Sequence, residues 1–294
     1  MRECARFPHG KDGMMVIDAH THLFTPRARL HPSSVSEEEV AFRLMFAGGG
    51  QRMVSPEEML ADMDAAGVGM AVLCPFPWTT LSCCSENNDY VLETARAHPD
   101  RFIPFAVINP GRSSEALAEA RRCLEAGARG LGELHAQPQG FDPLDEALLA
   151  PVVRLAMEYD VPLLIHVNEP VGHVYPGKGP VTPELIYRFV LAFPEVKVVL
   201  PHWGGGLPFY ELMPEVAEAC RNVWYDTAAS PFLYLPRVFS LAASAAGGHK
   251  ILFGTDYPLL PYQRTLADAA EGLKDDPDRE AIMGGNAARL FGIV

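Results

Sequence analysis

The chain has 294 residues, 48% of them hydrophobic, which suits one large core; an α/β barrel of roughly 250 residues fits without a second domain. A net charge of −13 leaves no basic face for a nucleic-acid partner, and no apolar run approaches the ~18 residues of a membrane span. Six cysteines without a CxxC pair or regular spacing point to a reduced, cytosolic protein.

Residues 1–13 are polar and read as a flexible extension, with Met14 or Met15 an alternative start and 14–294 as the single domain. The first strand runs Val16-Ile-Asp-Ala-His-Thr-His22. Its side-chain period of two puts Asp18, His20 and His22 on one face, where two imidazoles one residue apart can grip one metal ion. A long irregular segment over 24–54 follows, with Arg27, Arg29, Arg43 and Arg52, the acidic run Glu37-Glu38-Glu39, and Gly48-Gly49-Gly50 as a candidate hinge. A segment of this length reads as a lid or binding loop, with a short helix over 37–46.

An alternation of helix and strand then sets in. Ser55-Pro56 with Glu58 forms a capping box opening a helix to Ala66, and Gly67 ends it. Strands are expected at 70–74, 102–107, 130–134, 162–167, 196–202, 223–227 and 251–255. Helices are expected between them at 85–98, 114–126, 143–159, 183–193, 209–220 and from Ser230, with a last short one at 286–291. The eight strands are short and near-continuously apolar, as strands buried on both faces must be. Such alternation predicts a (β/α)8 TIM barrel with its site where the strands end. An open doubly wound sheet is the alternative, but it usually carries a glycine fingerprint after its first strand, where His20-Thr-His22 stands instead.

The strand ends carry the chemistry. Apolar strands terminate in His20 and His22, in Glu133 followed by His135, in His166, in His202 followed by Trp203, and in Asp256. Buried unpaired polar groups cost on the order of 1–3 kcal/mol each, and a shared metal ion removes that cost. In the loops beyond, Asn168, His173 and Lys178 are candidates for substrate contact together with His135 and Trp203. Cys74 ends a strand without an activating partner and reads as a structural thiol.

Asp18-Ala-His-Thr-His22, the single His166, His202-Trp-Gly-Gly-Gly206, Gly254-Thr-Asp-Tyr-Pro258 and Asn286-Ala-Ala-Arg-Leu-Phe291 together resemble the amidohydrolase superfamily. Within it the resemblance is to the branch that includes aminocarboxymuconate-semialdehyde decarboxylase, and it covers nearly the whole chain from Met15. It implies a divalent metal held by His20, His22, His166 and Asp256, with His202 as a second-metal ligand or a catalytic histidine. Zinc suits this donor set first, with manganese and iron as alternatives. Glu133 departs from the mononuclear decarboxylases and matches the position of a carboxylate that bridges two ions.

Two reactions follow as expectations. The first is a metal-dependent hydrolase cleaving an amide, lactam, lactone or ester of a small carboxylate-bearing substrate. There Asp256 takes the proton of a metal-activated water and His202 steadies the oxyanion. The second is a non-oxidative decarboxylase, with an acid protonating carbon. Two ions would favour hydrolysis, whereas one leaves decarboxylation open. A third possibility is ligand binding without chemistry, which gives no reason for Asp256. Barrels of this branch often pair, so a homodimer is an expected assembly.

Overall fold

The computed structural model describes residues 14–46 and 51–293. The expected extension over 1–13 and the hinge at Gly48-Gly49-Gly50 lie outside the described residues.

Eight strands are present: β1 (Ile17–His22), β2 (Met70–Cys74), β3 (Phe102–Pro104), β4 (Leu131–Leu134), β5 (Leu163–Ile165), β6 (Val198–Leu200), β7 (Val223–Asp226) and β8 (Ile251–Leu252). β1-β2-β3 and β4-β5-β6-β7-β8 pair in parallel as two arcs. Backbone bonds close the ring at both seams. Between β3 and β4, Gly132 N donates to Ala106 O at 2.8 Å and Ala106 N to Gly130 O at 3.0 Å. Between β8 and β1, Ala19 N donates to Phe253 O at 2.7 Å, Asp256 N to His20 O at 2.9 Å, and His22 N to Tyr257 O at 2.7 Å. The result is the (β/α)8 barrel expected from the alternation.

Ile17, Ala19, Val72, Ile103, Phe105, Leu164, Val199 and Leu252 form one buried cluster. Ala287, Ala288 and Leu290 from the last short helix, Asn286–Leu290, join it with Phe291 just beyond. The larger apolar cluster joins strand residues such as Leu73, Leu131 and Leu200 to the surrounding helices.

The excursion after β1 is more ordered than its sequence suggests. It contains three short helices, Pro26–Leu30, Pro32–Glu38 and Val40–Phe46. Glu39, the last residue of the acidic run, is fully buried. Its carboxylate accepts the backbone N–H groups of Thr79 at 2.8 Å and Thr80 at 2.9 Å, and both hydroxyls. Phe42 stacks on Phe46 and Trp78, so the excursion is fastened to the turn after β2 by an acid and by rings.

Other differences are local. The helix expected to start at Ser85 starts at Leu81, because Thr80 caps it by accepting Cys83 N. The stretch expected as a helix over 209–220 divides into the end of a turn-rich segment, His202–Leu212, whose first five residues are left-handed rather than helical, and a helix, Pro214–Ala219. A helix over Tyr262–Gly272 has no counterpart among the expected elements. The five cysteines among the described residues are free and buried. Among the described residues no helix is long and apolar enough to cross a membrane.

Candidate metal centre

The six residues expected as ligands converge at one end of the barrel in two groups. His20, His22 and Asp256 form one, and Glu133, His166 and His202 the other, with ligand atoms of each group within 4.8 Å of one another.

Hydrogen bonds fix the imidazoles. His22 Nδ1 lies 3.0 Å from Cys74 O, and His202 Nδ1 lies 3.2 Å from Ala228 O. A carbonyl only accepts, so each Nδ1 carries a proton and each Nε2 is left as the nitrogen that faces the centre. His20 Nδ1 meets Asp226 Oδ2 at 2.9 Å, which likewise leaves its Nε2 facing inward. The Nε2 atoms of His20 and His22 stand 3.2 Å apart. Asp256 Oδ1 is 3.3 Å from His22 Nε2, and Glu133 Oε2 lies 3.9 and 3.8 Å from the two imidazoles. Lone pairs and carboxylates aimed at one another are unfavourable unless a cation lies among them, so this donor set fits a divalent ion.

The charges agree. Burial opposes the charge of Asp256, yet the bond to His22 and the nearby imidazoles hold its pKa at about 2. Burial also opposes the charge of Glu133, but His166, His20 and His22 keep it well below the usual carboxylate range. Burial works against a charged His20, but Asp226 outweighs it and lifts the pKa to about 10. A proton therefore takes the cation's place in the metal-free protein. Because the folded value lies above the unfolded one, this proton stabilises the metal-free fold fully below pH 6.5, and the contribution fades as pH rises through about 10. Metal binding must displace it. Manganese affinity is expected to rise about tenfold per pH unit between about pH 7 and 9 and to level off above His20's value. Titration calorimetry at several pH values checks this; a flat profile would contradict it.

Asp226, at the end of β7, is absent from the residues expected at the site and yet belongs to it. It is fully buried. Besides holding His20, its Oδ1 accepts Ala228 N at 2.9 Å and His202 N at 3.3 Å, so one carboxylate orients both histidines. Partners of this kind typically contribute 10–100-fold to metal affinity. Asp226→Asn is expected to weaken manganese binding by about that factor without unfolding the protein; unchanged affinity by calorimetry would remove Asp226 from the centre.

Asp18 does not join the histidines as strict alternation implies. The register of β1 against β2 shifts between Asp18 and Thr21. Asp18 instead accepts Thr255 N at 3.0 Å, Thr255 Oγ1 at 2.5 Å and His20 N at 3.1 Å, and so ties the closing seam.

His166 uses both ring nitrogens. Gly179 N donates to Asn168 Oδ1 at 2.6 Å, which turns the amide so that Asn168 Nδ2 donates to His166 Nε2 at 3.0 Å. His166 Nδ1 then donates to Glu133 Oε1 at 2.6 Å.

Of the five side chains expected to touch substrate, only His173 lines the cavity above the centre. His135 is stacked against His166 with ring centroids 3.8 Å apart, and burial pushes its pKa well below the usual imidazole range. Asn168 lies behind His166, as described. The Lys178 ammonium braces its own loop, donating to Val171 O at 2.6 Å and His173 O at 3.1 Å. Trp203 is fully buried, donates to Ser230 Oγ at 2.7 Å and packs on Phe239. These directions follow from loop backbone that strand periodicity does not govern.

The cavity measures ≈ 320 Å³ and has His22, Glu133, His166, His202 and Asp256 among its lining. Phe24, Phe46 and Phe76 form one aromatic wall, with Phe24 centroids 5.2 and 5.8 Å from the other two and 6.4 Å from His22.

The fold and this centre define a metal-binding barrel of the amidohydrolase kind. The sequence profile of the amidohydrolase family matches residues 17–293, and the chain belongs to that family. A 2-keto-4-carboxy-3-hexenedioate hydratase from Sphingobium sp. is 22% identical over 95% of this chain and 96% of its own length. A gamma-resorcylate decarboxylase from Polaromonas sp. is 24% identical over 69% of this chain and 74% of its own. Among solved structures, 5-carboxyvanillate decarboxylase from Sphingomonas paucimobilis superposes with a TM-score of 0.78 at 19% identity, covering 96% of this chain and 100% of that one. The Novosphingobium aromaticivorans 5-carboxyvanillate decarboxylase, a D314N mutant with bound manganese and a nitrobenzoic acid, gives 0.77 at 16% identity, covering 97% and 99%.

These relatives overturn the expectation of a hydrolase, since those with named activities are decarboxylases and a hydratase. The physical reason is that the shared motifs specify a metal cup at the strand ends, and such a cup serves a substrate carboxylate as well as an attacking water. Zinc as the particular ion is likewise unsupported, because the metal in the structure just described is manganese.

Proposed function

We propose that the chain is a metal-dependent, non-oxidative decarboxylase of an aromatic carboxylic acid. The observation that carries this reading is the opening of the His20, His22 and Asp256 centre into a cavity walled by Phe24, Phe46 and Phe76. A flat ring packs well against such a wall. The named activities of the gamma-resorcylate and 5-carboxyvanillate decarboxylases support it.

A single divalent ion is assigned to His20, His22 and Asp256, with Glu133 Oε2 facing it. His166 belongs outside that set, because its two nitrogens serve Glu133 and Asn168. Two carboxylates beside two imidazoles suit manganese. When bound, the ion anchors the acid and stabilises negative charge on its oxygens.

The remaining work falls to the chain. Loss of carbon dioxide leaves an electron pair on the ring carbon, which must take up one proton; no oxidant or reductant is needed. His202 Nε2 faces the cavity, and burial together with His166 lowers its pKa below the usual imidazole value. A neutral His202 can accept a proton from a substrate hydroxyl and return it to carbon. Asp256, ionised and lining the same cavity, orients the acid and is the alternative carrier. Trp78 and Phe42 pack behind Phe76 and hold the wall in place.

A second reading, addition of water to an unsaturated acid, is favoured by the hydratase match along 95% of the chain. Manganese-loaded protein incubated with hydroxybenzoates and with unsaturated keto-dicarboxylates separates the two. The first reading predicts carbon dioxide and a phenol. Loss of the unsaturated chromophore without gas would replace it with the second.

A further inference from the structure

The size and lining of the cavity carry a statement about which aromatic acid it takes. An apolar cavity of about 150 Å³ holds one benzene ring. The ≈ 320 Å³ here is about twice that. One ordered water, at roughly 30 Å³, does not fill the difference.

The extra space is not matched to charge. Arg52 is the single lysine or arginine among the described lining residues, and its Nη1 is paired with Asp62 Oδ2 at 2.5 Å. Met45, Phe232, Leu233 and Leu259 are the large apolar side chains of the remainder, beside the uncharged polar groups of Gln51 and Tyr175 and the imidazole of His173. Phe232 and Leu259 are 45% and 48% exposed, so the mouth presents apolar surface to solvent. Apolar side chains left this open gain most from a ligand that covers them.

We propose that the substrate is an aromatic acid of two fused rings, with its carboxylate at the histidine end and an uncharged second ring against Met45, Phe232, Leu233 and Leu259. The orientation rests on the decarboxylase reading, but the preference for two rings rests on volume and lining alone.

The test compares 1-hydroxy-2-naphthoate with 2-hydroxybenzoate, which differ by that second ring, on manganese-loaded protein. Calorimetry gives Kd and gas evolution gives turnover. The naphthoate is expected to bind at least tenfold tighter. Leu259→Trp, a change at an exposed position, is expected to bring the ratio of the two Kd values down towards one. Equal affinities, tighter binding of the single ring, no binding of either acid, or a ratio untouched by Leu259→Trp would overturn the proposal. Tighter naphthoate binding with no gas from either acid would support it while removing the decarboxylase reading.

Discussion

Asp256→Asn is expected to lower kcat by about 10²–10⁴-fold, the usual contribution of a group that positions or moves a proton in the reaction. The substitution keeps the size of the side chain and removes its charge. Asp256 sits in left-handed backbone, with φ 66°. Such a conformation costs a non-glycine residue roughly 1–3 kcal/mol and persists when its surroundings demand it. Here it brings Oδ1 to 3.3 Å from His22 Nε2 while the backbone N–H donates to His20 O. Carbon dioxide release, read beside manganese content and a thermal melt, checks the prediction. Near-normal turnover in a folded, metal-loaded variant would show that the carboxylate only fills space.

Gly205→Ala is expected to destabilise the protein by about 2–5 kcal/mol, combining the left-handed penalty of an alanine with overpacking. Five consecutive residues after β6 adopt left-handed backbone: His202 at φ 56°, Trp203 at 59°, Gly204 at 53°, Gly205 at 63° and Gly206 at 101°. The turn directs His202 into the cavity and Trp203 into the core. A Cβ on Gly205 would stand 2.4 Å from Asn168 O, which is backbone and cannot swing aside. Asn168 holds His166, so the same change should loosen the Glu133 side of the centre. Urea unfolding measures the loss; a change under about 0.5 kcal/mol, the range of an inconsequential surface substitution, would refute the packing argument.

The strand ends were the legible part of this chain. An apolar run must stop where it meets the cavity, so His20, His22, Glu133, His166, His202 and Asp256 each announced themselves by position. Asp226 ends Val-Trp-Tyr-Asp in the same way, and that signal was available. Glu39 was not legible: its burial depends on Thr79 and Thr80, forty residues on, which no local pattern reveals. Lys178, Trp203, His135 and Asn168 follow strands, which by position alone suggests substrate contact. Their side chains turn elsewhere because backbone outside the strands, such as the left-handed turn at Trp203, sets direction without a period. The reaction was the least legible of all, since it depends on what the cavity walls accept.

Under the proposed function, residues from positions 20 to 256 hold one divalent ion at the mouth of the barrel. Anomalous diffraction from crystals grown with manganese tests it most directly. A single strong peak among His20 Nε2, His22 Nε2 and Asp256 Oδ1 is the predicted result. The absence of a peak there, or a second peak of equal strength between His166 and His202, would contradict it.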